Sequence, residues 1–349
     1  MALEWADRTL PTDARWAPAA ARPRAFGAPW ETVVALAQAA RVGVWVNIPV
    51  QATDAYVAAL AALLRDGSAA TGGAGVPAGL PIYVEHGNEN WLNGSAAAMG
   101  GPSATYLYNR AAAAAEVAAD PGSALNDDGV GDAEVWGYRR HLRRTVEVGA
   151  IFAAAFSAGS LGARVRPALG WTAAFLSELD ALGAWYTRAL APARGPAPDA
   201  LYGVAINAYA VGGVLAGATE ADIVAAAVAA SDAPRAARAA AAAVVSAAGL
   251  HLLTYEGALV VEPVQRDAAT TAAVIAANRG AAWAAAMVHD YEANWAPFAG
   301  AGNVFNFFAL ASQYGEDFPV ERFQWGLTED VANTSTAKFG AVRAIAAGG

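Results

Sequence analysis

The chain has no cysteine, so disulfides, thiolate metal sites and a thiol nucleophile are all excluded. Histidine is nearly as scarce, with four in 349 residues, and no Ser-His-Asp set stands out. Charge is sparse: Asp, Glu, Lys and Arg make up 15% of the residues and sum to a net charge of −9. With no run of Lys or Arg, nothing offers a footing for a phosphate backbone or an anionic membrane surface, and nucleic acid is not an expected partner. Long uninterrupted apolar runs are also missing, because Glu116, Asp120, Arg235 and Arg238 break the alanine-rich stretches. No membrane span is therefore expected. The opening "MALEWADRTLP" has no basic region followed by an apolar one, so no signal peptide is visible and the compartment stays open.

What is present is apolar residue, at 56% of the chain and a mean hydropathy of +0.30, which describes a folded protein. Much of it is alanine, a strong helix former that adds little buried area per residue. Short β-branched or aromatic runs alternate with longer alanine-rich amphipathic segments. Strands are expected at Leu3–Trp5, Val42–Ile48, Ile82–Glu85, Arg164–Leu169, Leu201–Asn207, Leu250–Tyr255 and Asn303–Phe308. Helices are expected at Pro29–Ala40, Thr53–Arg65, Val135–Phe156, Ala174–Leu190, Ala221–Ala248 and Ala268–Ala286. Three Gly-, Pro-, Ser- and Asp-rich stretches, 66–79, 120–132 and 192–198, read as loops, none of them a domain linker. Such alternation calls for parallel strands joined by right-handed crossovers, in an open doubly wound sheet or a closed (β/α)₈ barrel, on one domain spanning 1–349.

Chemistry concentrates in two places. "LPIYVEHGNENWLNG" runs an apolar strand straight into Glu85, His86, Asn88, Glu89 and Trp91, and "LHLLTYEGALVV" ends another strand in Tyr255, Glu256 and Gly257. The C-terminal ends of parallel strands are where barrels place active sites. Paired carboxylates from different strands suit glycoside hydrolysis, in which one protonates the leaving oxygen and the other attacks the anomeric carbon or activates water. Tryptophan faces stack on the C–H faces of sugar rings, and Trp91 and Trp325 are the best platforms for this. Glu85 reads as a structural carboxylate inside its strand, and Trp45 as core packing. "NDDGVGD" lacks the ligand spacing of a calcium loop, "TGGAG" lacks the Lys-Ser/Thr of a phosphate loop, and no metal or cofactor is implied.

In that order, "WVNIPVQATDAYV", "IYVEHGNENW" and "LLTYEGA" resemble the retaining glycoside hydrolases of clan A, within a cellulase-like branch written W-F-N-x-P-x-x-A-x-D-x-Y-V and Y-V-E-x-x-N-E-x-W. The likeness covers the chain from about Leu3 to the "AKFGAVRAI" segment. It implies a (β/α)₈ TIM-type barrel, a carbohydrate substrate with a β linkage and no cofactor. Glu89 would be the acid/base and Glu256 the nucleophile. Asn88 would bind the sugar 2-hydroxyl and Tyr209 would orient the nucleophile, with Asn47, His86, Trp91 and Trp325 as further substrate contacts. The resemblance places the two carboxyls about 5–5.5 Å apart, with a glycosyl-enzyme ester between two displacements.

Departures from the pattern shape the second reading. Where the family has R-x-M-D-W this chain has "MALEW", so the barrel's first strand and that arginine lack a counterpart and N-terminal truncation is the expectation. Val50-Gln51 stands where the branch often has histidine. The alternative class is a carbohydrate-binding protein without turnover, or an inactive fragment of such an enzyme.

Overall fold

In the computed structural model, residues 3–14, 16, 27–95, 101–157, 159–264, 267–315 and 324–348 are described. The chain is an α/β protein whose six parallel strands are hydrogen-bonded in the order β1-β2-β3-β4-β6-β8. These are β1 (Val44–Ile48), β2 (Ile82–His86), β3 (Val165–Trp171), β4 (Gly203–Asn207), β6 (His251–Gly257) and β8 (Phe305–Phe307), while β5 (Ala210–Val214) and β7 (Leu259–Pro263) form a separate parallel pair. Two compact units divide the chain: Met1–Trp171, Ser177–Val204 and Ala248–Leu250 form the first, and Thr172–Leu176, Ala205–Ala247 and His251–Gly349 the second.

In the first unit, β1 alternates, burying Val44, Val46 and Ile48 while Asn47 is exposed, as a strand with one covered face must. All five residues of β2 are buried, the pattern of a strand covered on both faces. Its register against β1 runs from Val44 opposite Ile82 to Ile48 opposite His86, and against β3 from Ile82 opposite Val165 to Glu85 opposite Ala168. The helices are α1 (Trp30–Ala40), α2 (Asp54–Asp66), α3 (Ala104–Ala119), α4 (Ala133–Phe156), α5 (Leu176–Ala189) and α6 (Ala191–Arg194). Hydroxyl and carboxylate N-caps start three of them: Thr53 accepts from the Tyr56 amide, Ser103 from that of Tyr106 and Asp132 from that of Glu134. Leu60, Leu64, Val84, Phe152 and Val165 lie at the centre of the core these elements enclose.

The expected strand at Leu3–Trp5 is corrected. Leu3 makes a single parallel bridge to Ala52, and Trp5–Asp7 turns into a 3₁₀ helix. The cause is local: Asp7 Oδ2 accepts from the Glu4 amide at 2.9 Å, so a side chain takes the donor that a continuing ladder would need. The loop at 120–132 is tied down by charge, because Arg139 and Arg188 both pair with Asp127 and Asp128.

In the second unit, α7 (Glu220–Asp232) and α8 (Arg235–Ala247) occupy the stretch expected as one helix. Pro234 separates them, since its ring removes a donor and clashes with the preceding turn. Likewise α9 (Ala268–Arg279) and α10 (Ala281–Asn294) are divided at Gly280, and α10 runs beyond the expected end. The remaining helices are α11 (Ala296–Ala299) and α12 (Ala337–Gly348). Ile223, Val261, Val274, Trp283 and Met287 are central to this unit's core. The pair β5 and β7 went unanticipated, because "AVGGV" and "LVVEP" are five residues long and carry Gly or Pro, the residues that end strands.

A buried ion pair crosses this unit. Arg238 Nη1 donates to Asp290 Oδ1 at 2.8 Å and Nη2 to the Ala208 carbonyl at 3.0 Å, while Ser231 Oγ donates to the same carboxylate oxygen at 2.9 Å. Removing one partner strands the other charge. Asp290→Ala should therefore cost about 3–5 kcal/mol in urea denaturation, whereas replacing both residues together by Met and Leu should recover most of that loss.

Candidate functional site

The first unit presents Asn88 and Glu89 on the turn that leaves β2. Glu89 has φ of 50°, a left-handed conformation uncommon for a residue with a side chain, and Gly87 before it has φ of 72°. Surrounding bonds impose this shape. The Gly87 amide donates to the Ile48 carbonyl at 2.7 Å, and the Glu89 carbonyl accepts from the Leu92 amide at 3.1 Å and from Ser103 Oγ at 2.8 Å. The Thr105 hydroxyl donates to the Asn88 carbonyl. A chain of donors running from Arg140 to Asn109, then to Asn90, ends on the His86 carbonyl and closes the turn from beneath. A Cβ on Gly87 would meet Asn90 Nδ2 at 2.5 Å, so the glycine is needed for space as well as for φ. The Asn88 side chain is exposed and Glu89 half-buried.

Behind this turn, Glu85 is 0% exposed and serves the sheet. Its Oε2 accepts from Trp45 Nε1 and from Asn47 Nδ2, both at 2.9 Å, and Asn47 Nδ2 also donates to the Gly87 carbonyl at 2.8 Å. Asn47 thus links the buried carboxylate to the turn, while Trp45 stacks on Tyr83 at 5.2 Å. Trp91 is 2% exposed, so its ring is packed inside the unit and offers no open face to a sugar. A cavity of about 640 Å³ opens beside Asn47, lined also by Arg8, Thr9, Trp30, Gln51 and Tyr56.

His86 is buried against His141 on α4, with their Nδ1 atoms 3.4 Å apart, room for one proton between them. His141 Nε2 donates to the Gly170 carbonyl at 3.1 Å. Desolvation, with the positive field of Arg140 behind it, pushes His141 down to about 4. Desolvation first, then His141, Arg140 and Arg144, holds His86 well below the usual imidazole range. Both rings are therefore neutral at pH 7, and His86 forms the wall behind the Glu89 turn.

In the second unit, Glu256 lies at the C-terminal end of β6, within an irregularity of the pairing with β8 between Thr254 and Gly257. Register shifts of this kind gather at strand ends beside functional sites. The Glu256 carbonyl accepts from the Ala208 amide at 2.9 Å, and the Ala258 carbonyl accepts from the Ala210 amide at 2.9 Å, so backbone bonds bracket Tyr209 against β6. Tyr209 and Trp325 are brought together: their rings are 6.3 Å apart, and Phe308 stands 5.1 Å from Trp325 and 6.3 Å from Tyr209. Glu256, Tyr209 and Trp325 are all half-buried.

Of the residues singled out from sequence, Asn47, His86, Asn88, Glu89 and Trp91 belong to the first unit, and Tyr209, Glu256 and Trp325 to the second. Sequence reasoning missed His141, Asn90, Asn109 and Arg140, which hold the Glu89 turn, and Phe308 beside Trp325. The "RRHLRR" run on α4 carried a signal for the first group, since a cationic helix with a central histidine is unusual in so weakly charged a chain. No group of three or more His, Asp or Glu side chains able to hold a metal ion occurs among the described residues, and no helix there is long and apolar enough to cross a membrane. No protein-family model, curated protein or solved structure matches the chain.

The buried histidine pair generates a pH dependence. A group whose folded pKa lies below its unfolded value binds more protons when unfolded, so stability falls as pH drops below about 6.5, by about 1.4 kcal/mol per pH unit per histidine. Denaturant unfolding at pH 6.5 and pH 5 should give a steeper loss for the wild type than for His141→Asn. Equal slopes would remove the pair from the account.

Proposed function

We propose that this chain is a retaining glycoside hydrolase-like protein acting on β-linked oligo- or polysaccharide, with Glu89 as acid/base and Glu256 as nucleophile. The observation that carries the reading is that both glutamates lie at the C-terminal ends of parallel strands, each on a backbone irregularity: a left-handed residue after β2 and a register shift in β6. That edge of an α/β sheet is where ligands bind. Backbone irregularity held by surrounding bonds is a recurrent mark of functional side chains. Closure of the strands into a (β/α)₈-type barrel belongs to the same proposal.

In this reading Glu256 attacks the anomeric carbon as Glu89 donates its proton to the departing glycosidic oxygen. Glu89 then takes a proton from water, whose oxygen displaces Glu256 and releases the sugar with its original anomeric configuration. In the same reading Asn88, exposed and next to Glu89, hydrogen-bonds the sugar 2-hydroxyl, and the half-buried Trp325 ring gives the pyranose an apolar face.

Aryl β-glycosides and soluble β-glucans supply the test. Glu256→Ala should lower turnover by several powers of ten, each worth about 1.4 kcal/mol of barrier. Glu89→Ala should cost far more on a substrate with a poor leaving group than on a dinitrophenyl glycoside, which departs without a proton. Turnover equal to wild type in both variants would reject the assignment, and saturable sugar binding without product would favour a binding protein.

A further inference from the structure

Lys338 sits where a lysine is disfavoured twice. It is 3% exposed, and it occupies the first turn of α12, where the helix dipole opposes a cation. A buried ammonium persists only if its donors are met. Nζ donates to the Gln324 carbonyl at 2.6 Å and to the Gly326 carbonyl at 3.4 Å, and it lies 4.8 Å from the Tyr314 ring centre and 5.6 Å from that of Trp283. Burial pushes the amine down to about 7, against the pull of Glu329.

The two carbonyls belong to the residues on either side of Trp325. The rest of the segment is equally constrained. Gln324 has φ of 45°, the Gly326 amide donates to Ser312 Oγ at 2.8 Å, and Tyr314 Oη donates to the Gly326 carbonyl. A Cβ on Gly326 would lie 2.3 Å from the Ser312 amide nitrogen, so no other residue fits there without a backbone shift. The Trp325 carbonyl accepts from the Ala309 amide at 3.2 Å, and the Leu327 amide donates to the Ala309 carbonyl at 2.9 Å.

We propose that Lys338 is a positioning residue, gripping the backbone on both sides of Trp325 so that the indole presents a fixed face to a β-linked sugar beside Tyr209 and Phe308. The sugar rests on the hydrolase-like reading above; the grip rests on the hydrogen bonds alone. Lys338 acts through the main chain, and its amine supplies the two hydrogen bonds that a leucine packed there would not.

Lys338→Met keeps an unbranched side chain, one atom shorter, and removes the donors. In the full chain, amide exchange across 324–327 should quicken at least tenfold, about 1.4 kcal/mol of lost protection. Dissociation constants for a panel of soluble β-linked gluco-, xylo- and manno-oligosaccharides should weaken about tenfold for whichever the wild type binds, with KM for the same oligosaccharides affected more than kcat. In a Trp325→Ala background the same substitution should add no further loss of affinity, a non-additivity that general destabilisation would not produce. Tyr314→Phe, which removes only the hydroxyl that donates to Gly326, should act in the same direction and less strongly.

Unchanged exchange at 324–327, or a Lys338→Met penalty that persists without Trp325, overturns the proposal. Trp325→Ala with undiminished binding, or a wild type that binds none of the panel, overturns it together with the sugar reading. Binding that follows the expected cycle in a protein without turnover supports the Lys338 assignment while rejecting hydrolysis.

Discussion

A carboxylate buried inside a parallel strand must be met by donors from its neighbours, and the end of β2 is organised around that requirement. Glu85 is wholly withdrawn from the protein surface. Trp45 and Asn47 of β1 supply their side-chain N–H groups, and Gly170 of β3 supplies room, since a Cβ there would come within 2.2 Å of Glu85 Oε1. Because Asn47 also holds the Gly87 carbonyl, the same amide that solvates Glu85 sets the start of the turn bearing Asn88 and Glu89. In a low-dielectric interior such a network specifies one arrangement, because each alternative leaves a polar group unmatched. The neutral histidine pair extends the logic, handing hydrogen bonding from β2 through α4 to the Gly170 carbonyl without adding charge.

The second unit solves a related problem with ions. Arg238 and Asp290 are both withdrawn from water, and the guanidinium spends its second arm on the carbonyl of Ala208, the residue before Tyr209. Lys338 does the equivalent on either side of Trp325. In each case a buried cation is matched by main-chain oxygens that border an aromatic ring of the candidate site. These two buried cations are tied to the backbone of particular loops, which suits a role in specificity more than in bulk stability.

The elements that were legible in the sequence are those whose pattern is local. Six of the seven expected strands occur, within a few residues, because β-branched runs bounded by turn residues need no distant information. The two long helices expected at 221–248 and 268–286 are each broken, by Pro234 and Gly280, residues visible in the sequence but masked by the alanine content around them. Leu3–Trp5 failed as a strand because a carboxylate three residues on competes for its amide. For the site, strand ends located Glu89 and Glu256, but periodicity says nothing about which ring is open: Trp91 follows the acidic cluster in sequence and yet is packed away. His141 lies 55 residues from His86, Asn109 19 from Asn90 and Lys338 14 from Gln324, separations beyond any local pattern, and only the folded chain pairs them.

The small parallel pair has its own consequence. Only Ala208 and Tyr209 separate β4 from β5, and only Ala258 separates β6 from β7, so the pair hangs from the same two strands whose ends carry Tyr209, in the first joint, and Glu256, one residue before the end of β6. Helices α7 and α9 pack on it, through small residues such as Ala227 and Ala277. Side-chain volume on those helix faces therefore bears on the β5–β7 pair and on the two short joints that carry it. The alanine-lined layer under the pair is thereby coupled, through two joints of one and two residues, to the backbone that carries Tyr209 and Glu256.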